Sequence, residues 1–207
     1  MRTSCGFVNY VLIRYYSCMS AEHYQYVLER LLNVLRNERR GLLLAYGLQP
    51  VQFDVLNYLA MANRYSDTPM AVTEFLGLTK GTVSQTLKVL EKEELLLKVC
   101  DLKDKRVVHL QLTPRGRGLV QEGFPSKVLK QVLDKQPMTG SSGLERLSVL
   151  LRTLQQANAY RSFGECRTCM HNQHLPSGMS RCALTGEELS QRDTELICRE
   201  HSLAEGF

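Results

Sequence analysis

The chain has 207 residues, none of them Trp, with 43% apolar and 23% charged residues and a net charge of +5. These proportions are ordinary for a soluble protein and allow one or two domains with a real core; no apolar run is long enough to span a membrane. The charge is uneven: from Ala159 onward five Lys/Arg stand against seven Asp/Glu, so the tail is about −2 and the remainder about +7, a basic body that suits a polyanion such as nucleic acid.

Residues 1–20 read as an N-terminal extension. The apolar stretch from Phe7 to Ile13 is short, broken by Asn9 and followed by Arg14, with no small-x-small cleavage site. It is therefore expected to be a non-export segment, with Met19 as an alternative start. The expected compartment is the cytoplasm. Its reducing conditions make clustered cysteines metal ligands in preference to disulfides.

From Ala21 to Tyr46 the pattern is helical, with Tyr24, Val27, Leu28, Leu31, Val34 and Leu35 at three- and four-residue steps and Gly47 as the stop. A second helix starts at Pro50, with Phe53, Leu56, Leu59 and Ala60 on one face. The loop from Asn63 to Pro69 ends it. A short helix from Met70 to Leu76 follows, C-capped by Gly77. Thr79 is the N-cap of the next helix, about Lys80 to Glu93, with Val83, Leu87 and Leu90 inward. The period then changes to two strands, Leu95 to Cys100 and Val107 to Leu112, around the polar tip 101–106. Helical pattern resumes at Pro114 and is weakened at Gly123 and Pro125. After the break at 137–143, Leu144 to Ala159 is one more amphipathic helix, with Leu147, Leu150, Leu151 and Leu154 on its face.

Two short helices joined by a glycine-containing turn, then a hairpin with a cationic tip, describe a winged helix-turn-helix. With Val83, Leu87 and Leu90 inward, the second helix presents Lys80, Thr82, Ser84, Gln85 and Lys88 outward, without a carboxylate among them. Gln pairs with adenine in the major groove, and hydroxyls reach bases or phosphates. The tip supplies Lys103, Lys105 and Arg106, and Arg106 suits a narrow minor groove. Asp104 is compatible with DNA if it orients a neighbouring Arg by a charge-assisted hydrogen bond.

The stretches LQPVQFDVLNYL, VTEFLGLTKGTVSQTLKVLEKEELL, DLKDKRVVHLQLT and LTPRGRGL, within Leu48–Val120, resemble the MarR family of bacterial transcription regulators. The resemblance implies that the helix over 80–92 enters the major groove and that the wing Asp104-Lys105-Arg106 serves the minor groove. It also implies a homodimer built from the first helix and the last two, on an inverted-repeat operator of double-stranded DNA. The family often takes a small aromatic acid as effector. Lys88 replaces a frequent acidic residue and Gln85 stands where Arg is common, so no base preference carries over. The expected architecture is mainly α with a small β-hairpin wing. Its parts are a dimerisation helix at 21–47, a winged helix-turn-helix at 48–120, dimerisation helices at 121–160 and a cysteine-rich metal-binding tail at 161–207. Independently of the resemblance, the apolar stripes over 24–35 and 147–154 are more than one small domain needs, and Leu31 and Leu151 are the expected interface positions.

The tail holds four of the seven cysteines, spaced Cys166-x2-Cys169-x12-Cys182-x15-Cys198. A CxxC turns two thiolates toward one metal, and the loop from Leu175 to Gly178 lets the chain return to Cys182. Thr185 and Ser190 are expected N-caps, which puts Cys198 on or beside a short helix. Four thiolates suit an iron–sulfur cluster. The alternative is zinc held by the CxxC and by Cys198-Arg199-Glu200-His201, which leaves Cys182 spare; a thiol switch without metal is the third reading. His171 and His174 flank the site as outer groups or loop residues. Cys100 is expected in the core, and His109 and His23 to be structural. A site next to the dimerisation helices is expected to act by changing the spacing of the two reading helices.

Three functions follow from this sequence. The first is a metal- or redox-responsive DNA-binding regulator. The second is a small-ligand-responsive regulator with a structural zinc knuckle. The third is an iron–sulfur redox protein with a vestigial winged helix. The chain shows no phosphate loop, Ser/His/Asp arrangement or paired catalytic carboxylates, so no enzyme is expected and no catalytic residue is assigned.

Overall fold

The computed structural model describes residues 20–135, 142–157 and 161–203. The expected extension, apart from Ser20, lies outside them, as does most of the 137–143 break. Helix α1 (Ala21–Ala45) leads to α2 (Pro50–Met61), α3 (Pro69–Leu76) and α4 (Lys80–Lys92). Strands β1 (Leu96–Cys100) and β2 (Val108–Leu112) form an antiparallel hairpin in which Leu96 faces Leu112 and Cys100 faces Val108. Then come α5 (Pro114–Gly123), α6 (Lys127–Lys135) and α7 (Ser142–Ala157). The tail holds a 3-10 turn (Cys166–Thr168), the three-stranded antiparallel sheet β3 (Asn172–His174), β4 (Ser180–Cys182) and β5 (Glu188–Leu189), and the short helix α8 (Gln191–Thr194). The fold is mainly helical with a small hairpin, the winged helix-turn-helix that the pattern predicts.

Local chemistry accounts for the boundaries. Thr68 accepts from the Ala71 N–H at 3.3 Å and Pro69 starts α3. Gly77, at φ +63°, ends α3 in the left-handed region that glycine enters without a Cβ clash. Two residues later Thr79 accepts from the Thr82 N–H at 3.1 Å and opens α4. The helix pair is thus held at its turn by one glycine and two caps.

The core lies between α2, α3, α4 and the hairpin. Phe53, Val55, Leu56, Tyr58, Val72, Val83, Leu90 and Leu96 are all buried. Each large apolar side chain so buried contributes about 1.5–3 kcal/mol. The outer helices differ. Leu43 is the only buried residue described on α1, and α6 has none. Tyr24, Val27, Leu31 and Val34 on α1 and Leu147 and Leu151 on α7 are exposed.

Two local expectations change. Cys100 is exposed rather than in the core, because the β1 burial pattern leaves every residue after Leu96 outward. Ser190 caps α8 with a reciprocal box to Asp193, but Thr185 sits in the 182–187 turn and caps no helix. No helix among the described residues is long and apolar enough to cross a membrane.

Candidate nucleic-acid interface and candidate metal centre

Helix α4 turns Val83, Leu87 and Leu90 into the core. Lys80, Thr82, Ser84, Gln85 and Lys88 are all exposed on the other side. The Thr82 hydroxyl lies 2.9 Å from that of Thr79, so the helix cap occupies part of its bonding capacity.

The wing is pre-ordered by two carboxylates. Asp101 accepts from the Lys103 and Asp104 N–H groups, both at 2.7 Å. Asp104 accepts from the Arg106 backbone N–H at 3.0 Å and takes the guanidinium in a fork, at 3.0 Å to Nε and 2.9 Å to the second nitrogen. This is the orienting role that allows Asp104 beside a polyanion. The Arg106 side chain hydrogen bond holds the Asp104 carboxyl below its ordinary value, and backbone N–H bonds do the same for Asp101. At the wing base His109 lies between Asp67, 2.6 Å from Nδ1, and Asp101, 3.2 Å from Nε2. The hydrogen bond to Asp67 raises the histidine above its usual value. The Leu110 N–H donates to the Asp67 carbonyl at 2.7 Å, so the wing is tied to the loop that precedes α3.

All four tail cysteines line one pocket, together with Tyr65, His171, Asn172, Leu184, Thr185, Leu189 and Glu200. The CxxC closes through the Cys169 N–H to the Cys166 carbonyl at 3.1 Å. The hairpin places Cys182 opposite Asn172. Cys198 comes beside Cys166 because Cys198 N–H donates to Gly164 and Cys166 N–H to Leu196. The hydrogen bond to Cys198, together with burial, pushes the Cys166 thiol up, and the same hydrogen bond brings Cys198 down to about 6. The Asn172 amide nitrogen and oxygen are buried with no hydrogen-bond partner among the described residues. Leaving such a group unsatisfied costs about 1–3 kcal/mol. As they stand, no three His, Cys, Asp or Glu side chains among the described residues are grouped closely enough to hold a metal ion.

His201 does not join this pocket. It is buried, with Nδ1 2.7 Å from the Ser162 hydroxyl and Nε2 3.0 Å from that of Thr168. A Cβ at Gly164 would stand 2.5 Å from its ring, so glycine is required there. Both its ring nitrogens are thus engaged, burial lowers its basicity, and it is absent from the lining of the thiol pocket. His171 lines the pocket; His174 sits apart, beside Ser180.

The tail touches α7 through Gln155, which donates to the Ser162 carbonyl at 3.2 Å, but most of its docking contacts are to the winged helix, whereas the expected location is beside the dimerisation helices. Ile197 bridges Ala62 in parallel and exchanges backbone bonds with Met61 and Asn63, both at 2.9 Å. Arg199 forks onto Glu74 of α3, both contacts at 2.7 Å. Phe163 packs edge-on against Tyr58 and Phe75. Glu187 accepts from the Tyr65 hydroxyl at 2.7 Å and lies 3.5 Å from the wing-tip Lys103. Sequence reading passed over Asn63, Tyr65, Ser66 and Asn172. Nothing in local pattern joins a polar interhelix loop to cysteines a hundred residues away.

A family model described as the MarR family matches residues 46–107. Over 81 residues the chain is 32% identical to the HTH-type transcriptional regulator MhqR of Bacillus subtilis, covering 39% of this chain and 54% of that one. Over 92 residues it is 30% identical to the HTH-type regulator YsmB of the same organism, covering 43% and 60%. The matched region thus spans little more than half the length of these curated relatives. Among solved structures, S. aureus MepR in its DNA-binding conformation superposes with a TM-score of 0.54 at 24% identity, covering 65% of this chain and 98% of that one. Streptococcus pneumoniae FabT in complex with DNA does so with a TM-score of 0.50 at 23% identity, covering 67% and 96%. These likenesses extend over the helical body, and both curated relatives carry the name of HTH-type transcriptional regulators. Residues 46–107 thus resemble the MarR family, and they lie within the winged helix-turn-helix of this fold.

Proposed function

We propose that the chain is a MarR-type DNA-binding transcription regulator, acting in the cytoplasm as a homodimer on an inverted-repeat duplex. Its activity is modulated by a metal held by Cys166, Cys169, Cys182 and Cys198. The carrying observation for DNA is the outward face of α4, where Lys80, Ser84, Gln85 and Lys88 are exposed together. Beside it, Arg106 is aimed by Asp104. A helix of this kind fits the major groove, and a wing arginine fits the narrow minor groove. FabT, whose fold is similar, was solved on DNA. The exposed apolar ridges of α1 and α7 support a second copy, because contiguous patches of this kind are characteristic of interfaces. Replacing Leu31 with Asp should then leave monomers or aggregates in sedimentation; an unchanged dimer would remove α1 from the interface.

For the metal, an iron–sulfur cluster is favoured over zinc. The donor set is four thiols in one pocket with an orphaned amide, and His201 is committed elsewhere. When bound, the cluster supplies redox- and assembly-sensitive crosslinking of the CxxC, β4 and the segment after α8. The test is iron, sulfide and zinc content after anaerobic purification of the parent, Cys182→Ser and His201→Ala. The expected result is a coloured parent, loss in Cys182→Ser and retention in His201→Ala. Colourless protein with one zinc, kept in Cys182→Ser and lost in His201→Ala, would overturn the cluster.

A second reading has one observation in its favour. A cleft beside α1 and α5 is lined by Arg39, Tyr46 and Lys127 together with Glu38 and Glu122, so a small aromatic acid would have two cations and a ring to meet but would also face two carboxylates. In that reading the tail metal is purely structural, and its removal leaves DNA affinity unchanged when the acid is present or absent.

A further inference from the structure

The thiol pocket is not built from the tail alone. Asn63 is 2% exposed and Ser66 is fully buried, and both belong to the loop between α2 and α3. The Asn63 amide nitrogen donates to the Cys166 sulfur at 3.3 Å. Its oxygen accepts from the Ser66 hydroxyl at 2.8 Å and from the Tyr65 N–H at 3.1 Å. The Ser66 hydroxyl in turn accepts from the Arg199 N–H at 2.7 Å, next in sequence to Cys198. The Cys166 sulfur, and the backbone next to Cys198, therefore have hydrogen-bonding partners in the winged helix. Tyr65, from the same loop, lines the pocket as well.

The far end of that loop faces the DNA-reading elements. Asp67 holds His109 of β2 and the Leu110 N–H, and Thr68 caps α3. Sulfurs bound to a metal are anionic acceptors, stronger than neutral thiols, and residues that hydrogen-bond to ligands tune how tightly the metal is held.

We propose that Asn63 and Ser66 complete the four-thiol site as positioning residues, so that metal binding orders the loop 62–67 and through it the junction of α3 with the wing. This rests on the metal reading above. It moves the route of regulation from the outer helices to the reading domain itself, and the coupling is reciprocal: whatever orders the loop also tightens the metal.

The experiment uses the full-length chain, loaded anaerobically with ferrous iron and sulfide or, separately, with zinc. Amide hydrogen exchange is compared before and after metal removal by chelator. Slower exchange at Ser66 and Leu110 in the loaded protein, with no matching change in the middle of α1, is expected. Exchange unchanged at both amides in a protein that holds metal overturns the coupling and leaves the metal reading intact. A parent that retains neither metal overturns the site, and the inference with it. Chelator competition then separates position from folding. Ser66→Ala should weaken metal retention about 10- to 100-fold, with restoration in Ser66→Thr, which keeps the hydroxyl. Retention equal to the parent in Ser66→Ala removes Ser66 from the site, and a loss that Ser66→Thr does not restore assigns it a packing role instead.

Discussion

The winged helix and the cysteine tail solve the same problem with different means. The winged helix buries a continuous set of large side chains, from Phe53 and Tyr58 through Leu90 to Leu110. The tail has a small cluster of Cys166, Leu189 and Cys198, with Tyr65 lent by the winged helix. A segment of some forty residues rarely gathers enough apolar surface to fold unaided, and metals or crosslinks make up the deficit. The tail supplements its cluster with thiols, with the Arg199–Glu74 fork and with backbone pairing to Met61, Ala62 and Asn63. A part that leans on its neighbour in this way is well placed to influence it.

The sharpest break between the two regions comes from Cys166→Ser. Removing one soft ligand should lower metal retention by orders of magnitude. Limited proteolysis of the full chain should then cut within 161–203 while the winged helix stays resistant. Equal resistance of both regions, with and without metal, would mean that the docking contacts alone hold the tail.

Leu90→Ala tests the other side. Leu90 is fully buried, and such a truncation costs about 2–5 kcal/mol. Thermal unfolding should move down for the whole described body, while metal content per folded chain stays at the parent level. Metal lost in step with stability would show that the tail has no separate hold on its ligands.

On the DNA-facing surface the effects are smaller and differ in kind. Gln85→Ala should relax preference at one base position by about 1–3 kcal/mol. Arg106→Ala should weaken binding to all duplexes alike and reduce the salt slope by about one unit. Titration against selected and scrambled duplexes at several salt concentrations distinguishes them. Parent-like binding by both variants would move the reading surface elsewhere.

The smallest effect is the pH response of the wing base. His109 is raised above its ordinary 6.5, first by its hydrogen bond to Asp67. Its contribution is therefore complete below about 6.5 and is lost as pH rises through the folded value. Two carboxylates face the ring, Asp67, raised by burial, and Asp101, held low first by backbone hydrogen bonds. Exchange at the Leu110 amide, corrected for intrinsic pH dependence, should quicken above neutrality in the parent and not in His109→Asn. The same profile in both would release His109 from that role.

The helices, the hairpin and their junctions were legible in the sequence because each depends on nearby residues. Thr68, Gly77 and Thr79 punctuate α3 and α4 within a few positions of where they act. The alternation of Val83, Leu87 and Leu90 with Lys80, Gln85 and Lys88 distinguishes the two faces of α4. The spacing of Cys166, Cys169, Cys182 and Cys198 likewise announced a thiol site, since a CxxC is itself local. Only the tertiary structure decided what surrounds those thiols. Hydrogen bonds from Asn63 to Cys166 and from Arg199 to Ser66 span more than a hundred residues, and no periodicity carries that information. The same holds for His201, whose spacing suggested a ligand. Its partners, Ser162 and Thr168, were set by how the chain closes on Gly164, where packing leaves no room for a side chain.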